Sequence, residues 1–264
     1  MKFTNPLNKK PWIRFYSLEP AVADLYPIKP ASNHKRGWVE EERKKSKCPM
    51  AGMLSVANCP GIKNIMSAGY IVPAPADFKV KTTGDGVSFE WETPWLFKMG
   101  GDKRGYIGKH DDTQVDPILD DPSKTLRSVV KVETPWRVKA SNDVVLLQVP
   151  VNYNNEKRFT AATGLLDPKY GHVIHAQLFW HVLEGETFIK AGTPLMQYIP
   201  VHRKYLQTSH FDTIIDVAGE VEWSMEESFE YCNQSQFLAE DSVQNRLNRV
   251  MTVFNRYRNK GLKL

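Results

Sequence analysis

The clearest pattern in the chain lies between Phe78 and Glu92. Phe78, Val80 and Thr82 alternate with Lys79 and Lys81; Gly84-Asp85-Gly86 follows; then Val87, Phe89 and Trp91 alternate with Ser88, Glu90 and Glu92. Period-two alternation on both sides of a glycine-rich turn predicts a β-hairpin with one apolar face. Its other face sets lysines opposite glutamates as cross-strand pairs. Residues 12–18, 127–132, 136–140, 143–151, 172–183 and 187–201 also read as strands, separated by loops rich in Asn, Asp, Pro and Gly. Strands that follow one another without helical patterns between them predict an antiparallel sandwich rather than a βαβ fold. The phrase Glu-Thr-Pro-Trp occurs at 92–95 and again at 133–136, and predicts two similar corners where a tryptophan turns into the core.

Helical patterning is confined to two places. Prolines at 6, 11, 20, 27 and 30 forbid a long helix at the start, whereas residues 37–47 set Glu40 and Glu41 four positions before Lys44 and Lys45. That order suits the helix dipole and predicts a short surface helix. Near the end, Val243, Leu247, Val250, Phe254 and Tyr257 form a stripe at helical spacing, with Asp241 as N-cap and Gly261 as stop.

Charge then separates the tail from the rest. The formal charge is +5, and residues 241–264 supply all of it, with Arg246, Arg249, Arg256, Arg258, Lys260 and Lys263 against Asp241. Residues 212–230 carry Asp212, Asp216, Glu220, Glu222, Glu226, Glu227 and Glu230 and no base. Such neighbouring segments can bind each other, a second copy or a charged partner. Nucleic-acid contact through Arg246, Arg249, Arg256 and Arg258 is the sharper reading of the tail, and a solvated helix face is the simpler one. The 264 residues, 41% of them hydrophobic, are enough for a sizeable core. There is no apolar run long enough to span a membrane and no leader-like apolar stretch after the first lysines. Cys48, Cys59 and Cys232 are too few and too scattered for a disulfide framework or a zinc knuckle, so reduced thiols in a cytosolic setting are expected.

No phosphate-loop glycine motif, HExxH, GxSxG or paired CxxC occurs. The acidic loop with Asp111, Asp112, Asp116, Asp120 and Asp121 lacks the glycine and closing glutamate of an EF-hand and reads as solvated. His172-Val-Ile-His175-Ala-Gln177 is more suggestive, because in a strand His175 and Gln177 share a face about 6.6 Å apart. His202, ending the next predicted strand, is the candidate third member. Two good ligands rarely hold a catalytic metal without a third. No cofactor is therefore expected, and a divalent transition metal is what the rival, metal-dependent reading requires.

Several phrases, taken together, carry a resemblance. Ile13-Arg-Phe-Tyr-Ser-Leu18, Pro30-Ala-Ser-Asn-His34, Thr134-Pro-Trp-Arg137, Arg158-Phe-Thr-Ala-Ala-Thr-Gly164, Gln177-Leu-Phe-Trp-His-Val-Leu-Glu-Gly185 and Ile189-Lys-Ala-Gly-Thr-Pro-Leu-Met-Gln-Tyr-Ile199 resemble an uncharacterised protein family of large tailed phages, including cyanophages and marine viruses. The resemblance implies a viral origin and a β-rich domain, and brings no catalytic residues. Lys190-Ala-Gly-Thr-Pro-Leu195 is also similar to the glycine turn and strand of cupin-like jelly rolls.

The expected fold is mainly β: a jelly-roll-like antiparallel sandwich over residues 10–223, followed by an acidic linker and helical C-terminal arm over 224–264. The expected role is a phage-type accessory or binding protein without enzymatic activity, a homo-oligomer through the arm, with no membrane partner. It would act in the host-cell cytoplasm, with virion association as a further setting. The alternative is a cupin-like metal enzyme or small-ligand binder with His175, Gln177 and His202 around its pocket.

Overall fold

The computed structural model describes residues 10–45, 56–98 and 101–217, together with 219–220, 223–224, 226, 251–252 and 255. By its internal contacts the chain divides into two units, Met1–His210 and Phe211–Leu264. In the second unit the described residues 211–217 form no regular element, and the scattered positions 220, 223, 224, 226, 251, 252 and 255 are helical. The predicted apolar stripe, Val243 to Tyr257, lies outside the described residues.

The first unit holds the sheets. Its strands are β1 (Ile13–Ser17), β2 (Lys29–Pro30), β3 (Tyr70–Pro73), β4 (Phe78–Thr83), β5 (Phe89–Glu92), β6 (Phe97–Lys98), β7 (Lys103–Arg104) and β8 (Ile107–His110). They continue with β9 (Val129–Ala140), β10 (Val144–Val149), β11 (Phe159–Ala161), β12 (Gly164–Leu166), β13 (Val173–Trp180), β14 (Glu184–Ile189) and β15 (Pro194–His202). Among the described residues, the helices α1 (Pro20–Leu25), α2 (Gly37–Lys45), α3 (Pro60–Ser67) and α4 (Asp112–Val115) fill the connections. Every strand pairing among the described residues is antiparallel.

The predicted hairpin is present. Lys79 pairs with Glu92 and Lys81 with Glu90, and Lys79 Nζ reaches Glu92 Oε1 at 2.9 Å. The strand β14 joins the free edge of β4 to make a sheet ordered β14-β4-β5. A second sheet runs β12-β10-β15-β3-β2, and a third runs β1-β9-β13-β11 with β8 beside β9. None of them closes on itself into a barrel. Their apolar sides meet in one core, to which β3 contributes Val72, β4 Phe78 and Val80, β9 Val130, Val132 and Val138, β13 Ile174, Ala176, Leu178 and Trp180, and β15 Met196 and Tyr198.

Two expected strands, 127–132 and 136–140, are in fact one. Pro135 cannot donate to a ladder, so a sequence reading ends a strand there. The chain continues because the pairing shifts: His175 faces Glu133 while Val173 faces Arg137, a bulge that leaves β9 with the extra residues. Thr134 fills the gap, its buried hydroxyl donating to Ile174 O at 2.7 Å, and the Pro135 carbonyl accepts from Leu18 N at 3.0 Å. On the other edge of β9, β8 gives way to β1 at this same point. The repeated tryptophan corner is correct only here, since Trp136 is 5% exposed but Trp95 is 64% exposed. The expected strand 187–201 breaks into β14 and β15 at the turn Lys190–Thr193, where Gly192 adopts a positive φ of 82°.

Candidate functional site

The alternating exposure of β13 sends Ile174, Ala176, Leu178 and Trp180 into the core and leaves Val173, His175, Gln177 and Phe179 half-buried on the opposite side. His175 and Gln177 share a face, as their spacing predicts. They line a cleft of about 330 Å³ with Gln148, Tyr198, Val173 and the segment that carries the chain from β11 to β12. Amides organise it. The Tyr198 hydroxyl donates to Gln148 Oε1 at 3.1 Å, while Gln148 Nε2 donates to Ala162 O at 2.8 Å and to Gln177 Oε1 at 3.2 Å. These bonds orient the Gln177 side chain: its oxygen is engaged, so its NH₂ is the end left to donate.

Charge surrounds the histidine without neutralising it. Across the ladder, Glu133 faces His175 and Lys131 faces Gln177. Glu133 is held by Lys131 Nζ at 2.8 Å and Arg104 Nη2 at 3.1 Å. Burial pushes the Glu133 carboxyl up, but the Lys131 hydrogen bond and the nearby positive charges outweigh it and leave its pKa lowered. For His175, burial is the main cause and Lys131, Arg137 and Arg104 add to it, pushing the imidazole down to about 4 despite Glu133. The ring is therefore neutral at pH 7. Its Nδ1 is buried and makes no hydrogen bond among the described residues, and a polar atom left in that state is costly.

A pH dependence follows. The folded ring titrates near 4 and an unfolded one near 6.5. Between those values the unfolded chain takes up a proton that the folded chain refuses, so stability falls as pH drops through that window and levels below it. Allowing for the edge of the ring that solvent reaches, the loss is about 2 kcal/mol. Unfolding free energies of the wild type and His175→Leu, taken from urea titrations between pH 7 and pH 4, should diverge by that amount; parallel curves would contradict the burial of His175.

His202 does not line this cleft. On β15 it lies four residues beyond Tyr198, about 13 Å at strand rise. There its Nε2 is 3.3 Å from Asp143 Oδ2 and its Nδ1 accepts from Lys204 N at 3.3 Å. The donor set that a metal needs is thus not assembled by these three residues, and among the described residues no three His, Cys, Asp or Glu side chains gather as such a site would require. His181 is engaged by hydroxyls, Nε2 with Thr160 at 2.8 Å and Nδ1 with Thr125 at 3.3 Å. In the acidic loop region, Asp116 pairs with Arg127, and Asp121 with Lys124 and Ser123. Arg246, Arg249, Arg256 and Arg258 lie outside the described residues.

Gln148, Tyr198 and the β11–β12 crossing were not legible as site residues. Gln148 interrupts the apolar run Val144–Leu147, and a polar side chain inside a strand that is otherwise buried on this face is the signal that could have marked it. Among the described residues no helix is long and apolar enough to cross a membrane. No family model matches the chain, and no curated protein matches it significantly.

Proposed function

We propose that the chain is a phage-type binding protein without enzymatic activity, and that the cleft at His175 takes a small, uncharged polar ligand. The jelly-roll-like layering of its sheets, assembly of copies through a helical C-terminal arm, and action in the host cytoplasm belong to the same reading. The observation that carries it is the buried, unpartnered Nδ1 of His175 beside the free NH₂ of Gln177. A hydroxyl or amide group would satisfy both at once. A neutral ligand fits because the imidazole is uncharged at pH 7 and, among the described residues, no carboxylate, ammonium or thiol lines the cleft. The same lining lacks the paired acid and base, or the activated nucleophile, that most hydrolytic or transfer chemistry uses.

The test is a titration of isotopically labelled protein with glucose, N-acetylglucosamine, acetamide and, for contrast, acetate, followed by amide chemical shifts and by metal analysis of the same sample. Saturable shifts at His175, Gln177 and Ala162 with a neutral probe, weakened about tenfold or more in Gln177→Leu, are the expected result. The proposal is overturned if no neutral probe moves those residues. It is also overturned if a stoichiometric transition metal is found that His175→Ala removes, which would favour the metal-enzyme alternative.

A further inference from the structure

A second cavity, of about 290 Å³, lies between the segment 31–40 and α3, apart from the cleft at His175. At its wall is Arg36, only 6% exposed. Two arms of the guanidinium are engaged by carbonyls: Nε donates to Asn152 O at 2.9 Å and Nη1 to Met66 O at 3.3 Å. The third, Nη2, is buried and makes no hydrogen bond among the described residues. Among the described residues no carboxylate forms an ion pair with Arg36. The following stretch, residues 46–55, contains neither Asp nor Glu. A guanidinium cannot shed its proton, so a buried one without a counter-charge carries a large desolvation cost.

The surroundings are cationic. Exposed Lys35 and Lys63 line the same cavity, with Glu40 the only acid among the described residues that line it. Among the described residues, Lys63 Nζ reaches an amide oxygen, Asn58 Oδ1, at 3.3 Å. The nine-residue helix α2 begins at Gly37, immediately after Arg36, so the positive end of its dipole and its first backbone N–H groups adjoin the cavity. The loop 152–155 and Met66 hold the Arg36 side chain in place. The loop 152–155 that accepts from Arg36 Nε also accepts from Trp38 Nε1 at Tyr153 O, 2.8 Å, and meets His34 Nε2 at Asn154 Oδ1, 2.7 Å.

We infer that this cavity is an oxyanion site that takes the phosphate group of a small phosphate monoester, with Arg36 Nη2, Lys35, Lys63 and the start of α2 as its donors. A phosphate fits better than a carboxylate. Its oxygens point in several directions and carry close to two charges, matching donors that come from two chain segments, residues 35–37 and α3, whereas a carboxylate offers two oxygens in one plane. A terminal monoester fits better than a nucleic-acid backbone, because a continuous strand needs a track of basic residues and the cations here converge on one cavity.

Thermal unfolding and amide-shift titrations of the full chain with sodium phosphate, against sodium chloride at matched ionic strength, test the assignment. Phosphate at ten times its dissociation constant should raise Tm by about 3 °C or more, beyond chloride. Shifts should saturate at Arg36, Gly37 and Trp38. The double variant Lys35→Gln/Lys63→Gln changes only exposed side chains, keeps the fold, and should bind at least about tenfold more weakly. A phosphate effect no larger than that of chloride, or one unchanged in the double variant, overturns the site. A single-stranded oligonucleotide without terminal phosphate that displaces phosphate from Arg36 overturns the monoester assignment.

Discussion

Gly69→Ala is expected to cost the protein about 4 kcal/mol or more, the largest effect of any conservative substitution in the first unit. Gly69 sits between α3 and β3 with φ +66°, in the left-handed region that a Cβ disfavours by about 1–2 kcal/mol. The larger part is space. A Cβ at this position would lie 1.9 Å from Tyr198 O and 2.9 Å from Ile199 Cα, backbone atoms of β15 that pair with β10 on one side and β3 on the other. Relief requires moving a central strand, and the Tyr198 hydroxyl that positions Gln148 in the cleft moves with it. Two other glycines isolate the terms. Gly86 has φ +74° but open space around its Cβ, so Gly86→Ala should cost only about 1 kcal/mol for the backbone alone. Gly37 has neither constraint, and Gly37→Ala should be neutral within about 0.5 kcal/mol. Denaturant midpoints of the three variants should rank in that order; a Gly69 variant no weaker than Gly86→Ala would mean that β15 yields easily.

Trp180→Ala should destabilise by about 4 kcal/mol, from lost burial together with the cavity left behind. Trp180 is fully buried, paired across the ladder with Phe159 and stacked on it with centroids 6.0 Å apart and planes at 15°. It ends the core side of β13, the strand whose other face carries His175 and Gln177, so its loss should also loosen the cleft. The indole Nε1 is buried and makes no hydrogen bond among the described residues. Trp180→Phe removes that orphaned donor, a gain of about 1–3 kcal/mol, while giving up part of the ring. The two changes should nearly cancel, to within about 1 kcal/mol of the wild type. Urea unfolding of both variants separates the contributions. Equal damage from Phe and Ala would show that the N–H, rather than the ring volume, is what the site requires.

The candidate cleft was half legible before the structure. His175 and Gln177 share a face because strand geometry places every second side chain together, a rule that needs no tertiary information. In the sequence, residues 187–201 form one strand-like run that ends beside His202, which makes His202 a candidate third member. The turn at Lys190–Thr193 instead makes two strands that belong to different sheets, one beside β4 and the other beside β10. That assignment places His202 against Val144, far along the strand from Tyr198. Arg36 left no trace in a reading of charge, since an arginine before a helix looks like any surface base. Its burial comes from Asn152 and Met66, residues 116 and 30 positions away.

Local alternation alone determined that the middle of the chain is antiparallel β, that residues 78–92 form a hairpin, and that its lysines meet its glutamates, because those features depend on neighbours a few residues apart. Tertiary structure decided everything that depends on distant partners: the passage of β9 through Pro135, the short strands β11 and β12, the insertion of β3 between β2 and β15, and the cationic cavity at Arg36. A bulge, a three-residue strand or a buried charge is stable only when another segment supplies its missing hydrogen bonds. Such a supply cannot be read from the residues that receive it.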